Sequence, residues 1–276
     1  MRRALAILVF SAMPALAWNS TGHRIVAAIA YDQLTPATRA RVDDLIRRHP
    51  DYQLFLEFAP RESAARARAA FIAASTWADQ IKFDQRFKRK QTHADWHYIN
   101  IGFSQDGTPL LDAPKPNVVT ALEQLSRNLD PEALVWTIHL VGDIHNPLHT
   151  ATRFTRQDPE GDRGGNSVYV QPGRNLHSYW DGLPGPDAAD SAYVDNQARQ
   201  LKGRPSSDLR QSFAEWAKEG VELAKKVVYA FGQGVGASSQ PVRLSRSYQE
   251  DAKSLARVQL VTAGQRLAVL LNGQLP

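Results

Sequence analysis

The stretch Trp136-Thr137-Ile138-His139-Leu140-Val141-Gly142-Asp143-Ile144-His145-Asn146-Pro147-Leu148-His149 decides how this chain is read. From Pro131 to His145 it reads as a helix. His139 and Asp143 stand four apart, about 40° of rotation, so their side chains share one face. Pro147 bends or ends that helix and lets His149 return toward the same pocket. His145 follows Asp143 by two residues and points roughly 200° away, which makes it a core or supporting residue rather than a ligand. The spacing recurs downstream in His177-Ser178-Tyr179-Trp180-Asp181. One such pair alone is equally an ordinary hydrogen bond on a helix face. Two pairs together with His149 are a metal-site pattern, since zinc takes imidazole nitrogen and carboxylate oxygen.

Outward from this stretch the chain reads as mostly helical. Helical spacing covers Gly22 to Leu34, and Thr35-Pro36 opens a second helix through Arg48. An Ala-rich run from Ser63 to Phe87 predicts one long helix. Asn117 to Asn128 pairs with Pro131 to His145, and Ser212 to Phe231 and Ser247 to Leu271 close the chain. Gly232 to Gln240 is a loop. Strand signals are few. Ser167 to Gln171 alternates after a Gly-rich turn, and Trp96 to Ile101 is a second short extended piece, so a short β-hairpin is expected. No repeat or linker divides the chain, and a single mostly α domain over residues 18–276 is the simplest reading.

The first 17 residues read differently. Met1-Arg2-Arg3 precedes a short apolar run that ends in Ala15-Leu16-Ala17, the pattern of a secretory signal peptide cleaved before Trp18. Cleavage makes Trp18 a free α-amine, able to chelate a metal with its own carbonyl. No later stretch is long and apolar enough for a transmembrane span. The net charge is +5, and +3 once Arg2 and Arg3 leave. That mild basic bias suits an anionic partner without requiring one. With no cysteine, four-thiolate zinc sites are excluded and any metal falls to His, Asp and main-chain groups.

With these motifs in place, the chain resembles the S1/P1 family of zinc-dependent nucleases. The resemblance runs through Trp18 with His23, Trp77-Ala78-Asp79, Trp96-His97-Tyr98-Ile99-Asn100, the His139 to His149 stretch, Gly164-Gly165-Asn166 and Asn175 to Asp181. It implies a multi-helix phospholipase C/P1 nuclease-like fold and three Zn2+ per chain. One zinc is assigned to Asp79, His97, His139 and Asp143. A second is assigned to His149, His177 and Asp181. The third is assigned to Trp18, His23 and Asp143, with Asp143 bridging. The implied reaction is metal-assisted hydrolysis of a phosphodiester, since zinc lowers the pKa of bound water to about 7. Single-stranded DNA and RNA are the expected substrates, giving 5′-phosphate products, with 3′-nucleotides as further substrates and a monomer as the working unit.

The resemblance also gives roles to residues around the metals. Asp79 orients the nucleophilic water as well as binding metal. Lys82, on the same face, stabilises transition-state charge, although a solvated Lys fits that position too. Asn166 contacts the phosphate or leaving group, with a turn Asn as the alternative. Tyr98 stacks on a base and Asn100 hydrogen-bonds one, against a buried Tyr and a turn Asn. The basic run Arg86-Phe87-Lys88-Arg89-Lys90 is either a strand-tracking patch or a solvated helix end. His49 and His93 fall outside the ligand set, the first as a helix end and the second as a surface residue. Secreted eukaryotic members of the resembled family typically carry disulfides, and the missing cysteines depart from them in favour of a bacterial, periplasmic or secreted protein. A phospholipase C on the same scaffold and a non-catalytic zinc- or nucleic-acid-binding protein are the competing functions.

Overall fold

The computed structural model describes residues 18–87, 91–201, 208–231 and 236–276. The expected signal peptide, Lys88 to Lys90 of the basic run and residues 232–235 of the expected loop lie outside them. The elements run α1 Ser20–Tyr31, α2 Pro36–Arg48, α3 Tyr52–Phe55, α4 Ser63–Ala74, α5 Trp77–Gln80, β1 Ile101–Ser104, α6 Val118–Leu125, α7 Pro131–Asp143, α8 Pro147–Thr150, β2 Ala151–Phe154, β3 Val170–Gln171, α9 Leu176–Asp181, α10 Ser191–Gln200, α11 Phe213–Leu223, β4 Val242–Arg243 and α12 Arg246–Gln274. Short 3-10 turns cover Gln85–Phe87 and Ala94–His97, and a π turn extends α11 over Ala224–Val228.

Local chemistry fixes many helix starts. Thr35, Asp130 and Asn146 each accept a backbone N–H, and each precedes a proline in the first turn. Asn175 and Ser212 form reciprocal capping boxes with Ser178 and Glu215. At Pro36, Pro131 and Pro147 the first-turn proline loses no helical hydrogen bond and is already set for the helical φ.

The centre of the molecule is α7. Every residue from Ala133 to Asp143 is buried, so its polar members His139 and Asp143 can persist only with partners. It is wrapped by α1, α2, α5, α6 and α12, while α1 also packs on α4, α10 and α12. Among the described residues no helix is long and apolar enough to cross a membrane.

Three expectations change. The Ser63–Phe87 run is not one helix: it stops at Ala74 and restarts at Trp77. There Ser75 Oγ donates to Ile72 O at 2.7 Å and Thr76 Oγ1 to Ala73 O at 3.0 Å, so side chains replace the continuing ladder. The β-hairpin is corrected to two parallel pairs, β1 with β2 and β3 with β4; the antiparallel contact around Ser167–Gln171 is a single bridge from Tyr169 to Asn175. Trp96 and His97 sit in a 3-10 turn rather than an extended piece, and the strand begins at Ile101. In β1–β2 the register sets Ile101 opposite Ala151 and Ser104 opposite Phe154. This pairing ties the segment after His97 to the segment after His149.

Candidate metal centre

Three groups of metal-ligand type converge inside the helical scaffold: His23 with Asp79 and His139, His97 with His139 and Asp143, and His149 with His177 and Asp181. His139 is common to the first two, and Asp143 of the second also faces His23 of the first. Asp143 Oδ1 lies 3.3 Å from His23 Nε2, while its Oδ2 lies 2.8 Å from His97 Nδ1 and 3.3 Å from His139 Nε2. One carboxylate therefore faces two histidine groups through different oxygens. Asp79 reaches the same place from α5, its Oδ1 3.7 Å from His139 Nε2 and 3.8 Å from His97 Nδ1. The His23 and His139 rings stack at 4.0 Å.

Backbone carbonyls aim the imidazoles. His139 Nδ1 bonds Ser75 O at 2.7 Å, His149 Nδ1 bonds His97 O at 2.6 Å and His177 Nδ1 bonds Gly164 O at 2.7 Å. A carbonyl only accepts, so each Nδ1 carries the proton and each Nε2 keeps its lone pair for the interior of the site. The helix break at Ser75 is what frees the first of these carbonyls. Gly164 supplies another with φ +63, and a Cβ there meets Leu148 O at 2.2 Å. Gly142 likewise leaves room for His23, whose Nδ1 lies 2.7 Å from where a Cβ would stand.

Trp18 is fully buried at the start of α1, and the next residue's N–H donates to Asp181 O at 3.0 Å. That bond holds the beginning of the described chain against the end of α9. Asn146 Nδ2 donates to the same residue's Oδ1 at 2.9 Å. His177 Nε2 lies 3.5 Å from Asp181 Oδ2, and the His149 and His177 rings are 5.0 Å apart.

A cation fits this donor set. His23 Nε2, Asp143 Oδ1 and His149 Nε2 are buried with no hydrogen-bond partner, a cost that a metal removes. The electrostatics agree. Burial opposes ionisation of Asp143, but its close imidazole neighbours, His139 foremost, hold its carboxyl well below the usual range. Burial pushes Asp181 well up, with Asp79 and Asp143 adding to the shift, and pushes the His149 imidazole down. His97 falls to about 4, chiefly through burial.

The substrate-side residues are placed less uniformly. Lys82 Nζ donates to Asp79 Oδ1 at 2.8 Å, so the helix-face pairing of these two residues exists alongside Asp79's approach to the histidines. Tyr98 is extended and half-buried next to His97. Asn100 has φ 55, so the period-two alternation that would set it beside Tyr98 breaks there; Asn tolerates this left-handed conformation. Asn166 Nδ2 donates to Arg163 O at 2.8 Å within the glycine turn. Arg86 is held by Asp84 and Glu57 at 2.7 and 3.1 Å.

The remaining histidines separate cleanly. His145 Nδ1 bonds Val141 O at 2.7 Å and its Nε2 accepts from Arg266 Nη1 at 3.0 Å, as expected for a supporting residue. His49 caps α2 but is buried against Phe55 and Trp77. His93 is not a free surface residue: it stacks on Trp96 at 3.8 Å and meets Trp136 edge-on. Sequence reasoning missed Ser75, whose role is carried by a backbone carbonyl without a side-chain signature. It also missed Asn146, although an Asn before Pro147 carries a helix-cap signal.

Buried imidazoles and carboxylates meet here in a mostly α scaffold with lone pairs turned inward, an arrangement that could hold metal ions. The chain belongs to the S1/P1 nuclease family, whose model matches residues 18–275. It is 26% identical to Endonuclease 3 of Arabidopsis thaliana over 94% of this chain and 89% of that one. It is 24% identical to Endonuclease 1 of the same plant, covering 97% and 90% of the two chains. Nuclease S1 of Aspergillus oryzae is 22% identical over 92% and 91%. Family membership makes the protein a phosphodiester-hydrolysing enzyme with nucleic acid as its substrate class.

Proposed function

We propose that the protein is an exported, zinc-dependent endonuclease of single-stranded DNA and RNA that yields 5′-phosphate products and also removes 3′-phosphates from nucleotides. The observation that carries this reading is the split carboxylate of Asp143, one oxygen toward His23 and the other toward His97 and His139. A carboxylate so divided suits a bridge between two cations. In this reading Asp79, His97, His139 and Asp143 hold one zinc. His149, His177 and Asp181 hold a second. Trp18 with a free amine, His23 and Asp143 hold the third, so the working domain is residues 18–276 and acts as a monomer. When bound, the zinc ions supply a water ionised near neutral pH and positive charge for the phosphoryl oxygens.

The chain's own groups do the rest. Asp79 accepts a hydrogen bond from the attacking water and so turns its lone pair toward phosphorus. Lys82, already beside Asp79, places an ammonium where charge develops on the phosphoryl oxygens. Tyr98 carries the base next to the scissile bond, Asn100 offers that base a donor and an acceptor, and Asn166 holds the phosphate or departing oxygen from the glycine turn. Without disulfides, the protein is read as a bacterial one, working in the periplasm or secreted.

The test is to measure metal content together with turnover of single-stranded DNA, RNA, 3′-AMP and phosphatidylcholine by the protein beginning at Trp18. Three zinc ions per chain and hydrolysis of the first three substrates are expected. Turnover of the lipid alone defeats the nuclease reading in favour of a phospholipase C. A fully loaded protein that hydrolyses no ester makes it a binding protein.

A further inference from the structure

The first turn of α1 is bound along its length to one distant loop. That loop, residues 182–190, leaves Asp181 at the end of α9 and leads into α10. Asn19 Nδ2 donates to Gly185 O at 2.7 Å, and Thr21 Oγ1 donates to Pro186 O at 2.6 Å. Ser20 donates twice to Asp187 Oδ1, from its N at 3.0 Å and from its Oγ at 2.7 Å. Bonds also run the other way. Ala188 N donates to Ser20 Oγ at 2.8 Å and Ala189 N to Thr21 Oγ1 at 3.0 Å. Arg24 adds a bond from Nη1 to Ala189 O. Trp18 Cβ and Pro184 Cγ both close on Gly22, 2.6 and 2.8 Å from where a Cβ would stand.

Two observations separate this grip from ordinary support of the helix. First, the body of α1 is held by other means. Every residue from Ile25 to Tyr31 is buried, and the helix packs on α4, α10 and α12. Apolar burial of that extent fixes the helix in place. The loop instead grips the turn ahead of it, the turn that joins Trp18 to His23. Second, the loop stores strain to do so. Ala188 has φ +52, a left-handed conformation that alanine adopts at a cost. Its N–H is held there by Ser20 Oγ and by Asp187 Oδ1 at 3.0 Å. Asp187 is the junction of the arrangement. One of its oxygens accepts from Ser20 N, Ser20 Oγ and Ala188 N, and its charge stands at the positive end of α1.

The two ends of the loop's grip belong to different parts of the metal centre. Asp181, from which the loop departs, stands with His149 and His177. Trp18 and His23 flank the turn that the loop holds. We propose that residues 182–190 form a clasp that sets the spacing between these two ligand groups, with Asp187 as its positioning residue. Asp187 is exposed and lies outside both groups. It acts through Ser20 on the turn that presents the Trp18 amine and His23. The inference rests on the three-metal reading of the site and adds a residue to it. Groups that act together on one phosphodiester depend on their separation, since a misplacement of about 1 Å can cost on the order of 10²-fold in rate.

The experiment takes the protein beginning at Trp18, loaded with zinc, as wild type, Asp187→Ala and Asp187→Asn. Because Asp187 is exposed, neither change disturbs the core. Zinc is withdrawn with a competing chelator, and the Tm of the metal-free protein is measured beside it. In Asp187→Ala one zinc should bind about tenfold more weakly while the others keep their affinity. Its kcat on single-stranded DNA should fall roughly tenfold with KM unchanged. Asp187→Asn keeps an acceptor oxygen for Ser20 and should release zinc as the wild type does. Wild-type zinc release from Asp187→Ala overturns the clasp. So does a uniform weakening of all the zinc ions with a fall in the metal-free Tm, the mark of support for the whole fold. A loss in Asp187→Asn equal to that in Asp187→Ala also overturns it, because charge and not the hydrogen-bonded geometry is then what matters. A wild type that binds fewer than three zinc ions is a different result: it removes the three-metal reading itself, and the clasp's role with it.

Discussion

The C-terminal end of α7 carries two buried polar sites on its opposite sides, and they have opposite solutions to the same problem. On one side His139 and Asp143 meet His23, His97 and Asp79, and several buried atoms of the group lack hydrogen-bond partners. On the other side His145 meets Arg266. That arginine is 1% exposed and donates to His145 Nε2, Asp208 O, Gln211 Oε1 and Glu219 Oε2 at 2.7–3.0 Å, while stacking over Trp216. The second site contains its own cation. The first sets two carboxylates, Asp79 and Asp143, against the single ammonium of Lys82, and its inward imidazole lone pairs leave room for a further cation from outside. Buried histidine is therefore no sign of a metal by itself; what separates the two sites is whether the chain's own cation meets the buried histidine, as Arg266 meets His145, or leaves the histidine lone pairs facing carboxylates, as Lys82 does by bonding Asp79 alone.

The strongest way to break this contrast is Asp143→Asn. The amide keeps the shape but loses the charge facing both histidine groups. Two of the three proposed metals should be lost, with activity falling on the order of 10³-fold or more. Metal analysis beside a single-strand nuclease assay reads both effects. Retention of full metal content refutes the bridging role. A milder break lies at the other end of the site. Residues added before Trp18 convert its amine to an amide, which is not a comparable metal donor. The expected result is one metal fewer and activity lower by roughly 10- to 100-fold. An extended protein with full activity and unchanged stoichiometry rejects the terminal-amine ligand.

How much of this was legible depended on which chemical group carries the information. His139, Asp143, His177 and Asp181 were legible because helical periodicity fixes their relative direction, and His149 because proline constrains the turn before it. Helix starts at Pro36 and Pro131 were legible through their caps. The carbonyls of Ser75, His97 and Gly164 were not, because every residue has a carbonyl and only tertiary geometry selects which one receives an imidazole. The same holds for the break in the Ser63–Phe87 run, where Ser75 and Thr76 overrode a strong local propensity by bonding their own helix. Parallel strand pairing was hidden for a further reason. Ile101 and Ala151 are partners across the fold, and alternation within either strand says nothing about the other. Asn100 shows the limit of pattern reasoning at a turn, since one left-handed residue cancels the alternation that follows it.

A smaller effect sharpens the contrast within the metal-dependent side. Asn146 caps α8 through its Oδ1 and steadies Asp181 through its Nδ2, at 3.1 and 2.9 Å. Asn146→Ala removes both bonds. Metal affinity of the His149, His177 and Asp181 group should drop about 10- to 100-fold, while the group around Asp143 keeps its affinity. Titration against a competing chelator, with the metals released in two separated steps, shows this directly. A uniform weakening of all the metals means that Asn146 supports the whole fold rather than one group.

The least effect on metal content, and the sharpest test of the contrast, belongs to Arg266→Met. Methionine keeps most of the buried stem volume but removes the guanidinium. His145 Nε2 loses its donor, and the carbonyl of Asp208 and the amide oxygen of Gln211 lose theirs. Glu219 is 30% exposed on its side chain, so water replaces part of what it loses. The unfolding free energy should fall by about 2–4 kcal/mol, which for a domain of this size is roughly 5–10 °C in Tm. Metal stoichiometry and kcat below the transition should match the wild type, because His139 and Asp143 are aimed by Ser75, His97 and His23 from the other side of α7. If the metals leave with the arginine, the two sites are one mechanical unit, and the cation that Arg266 supplies helps to hold the cations that the protein must acquire.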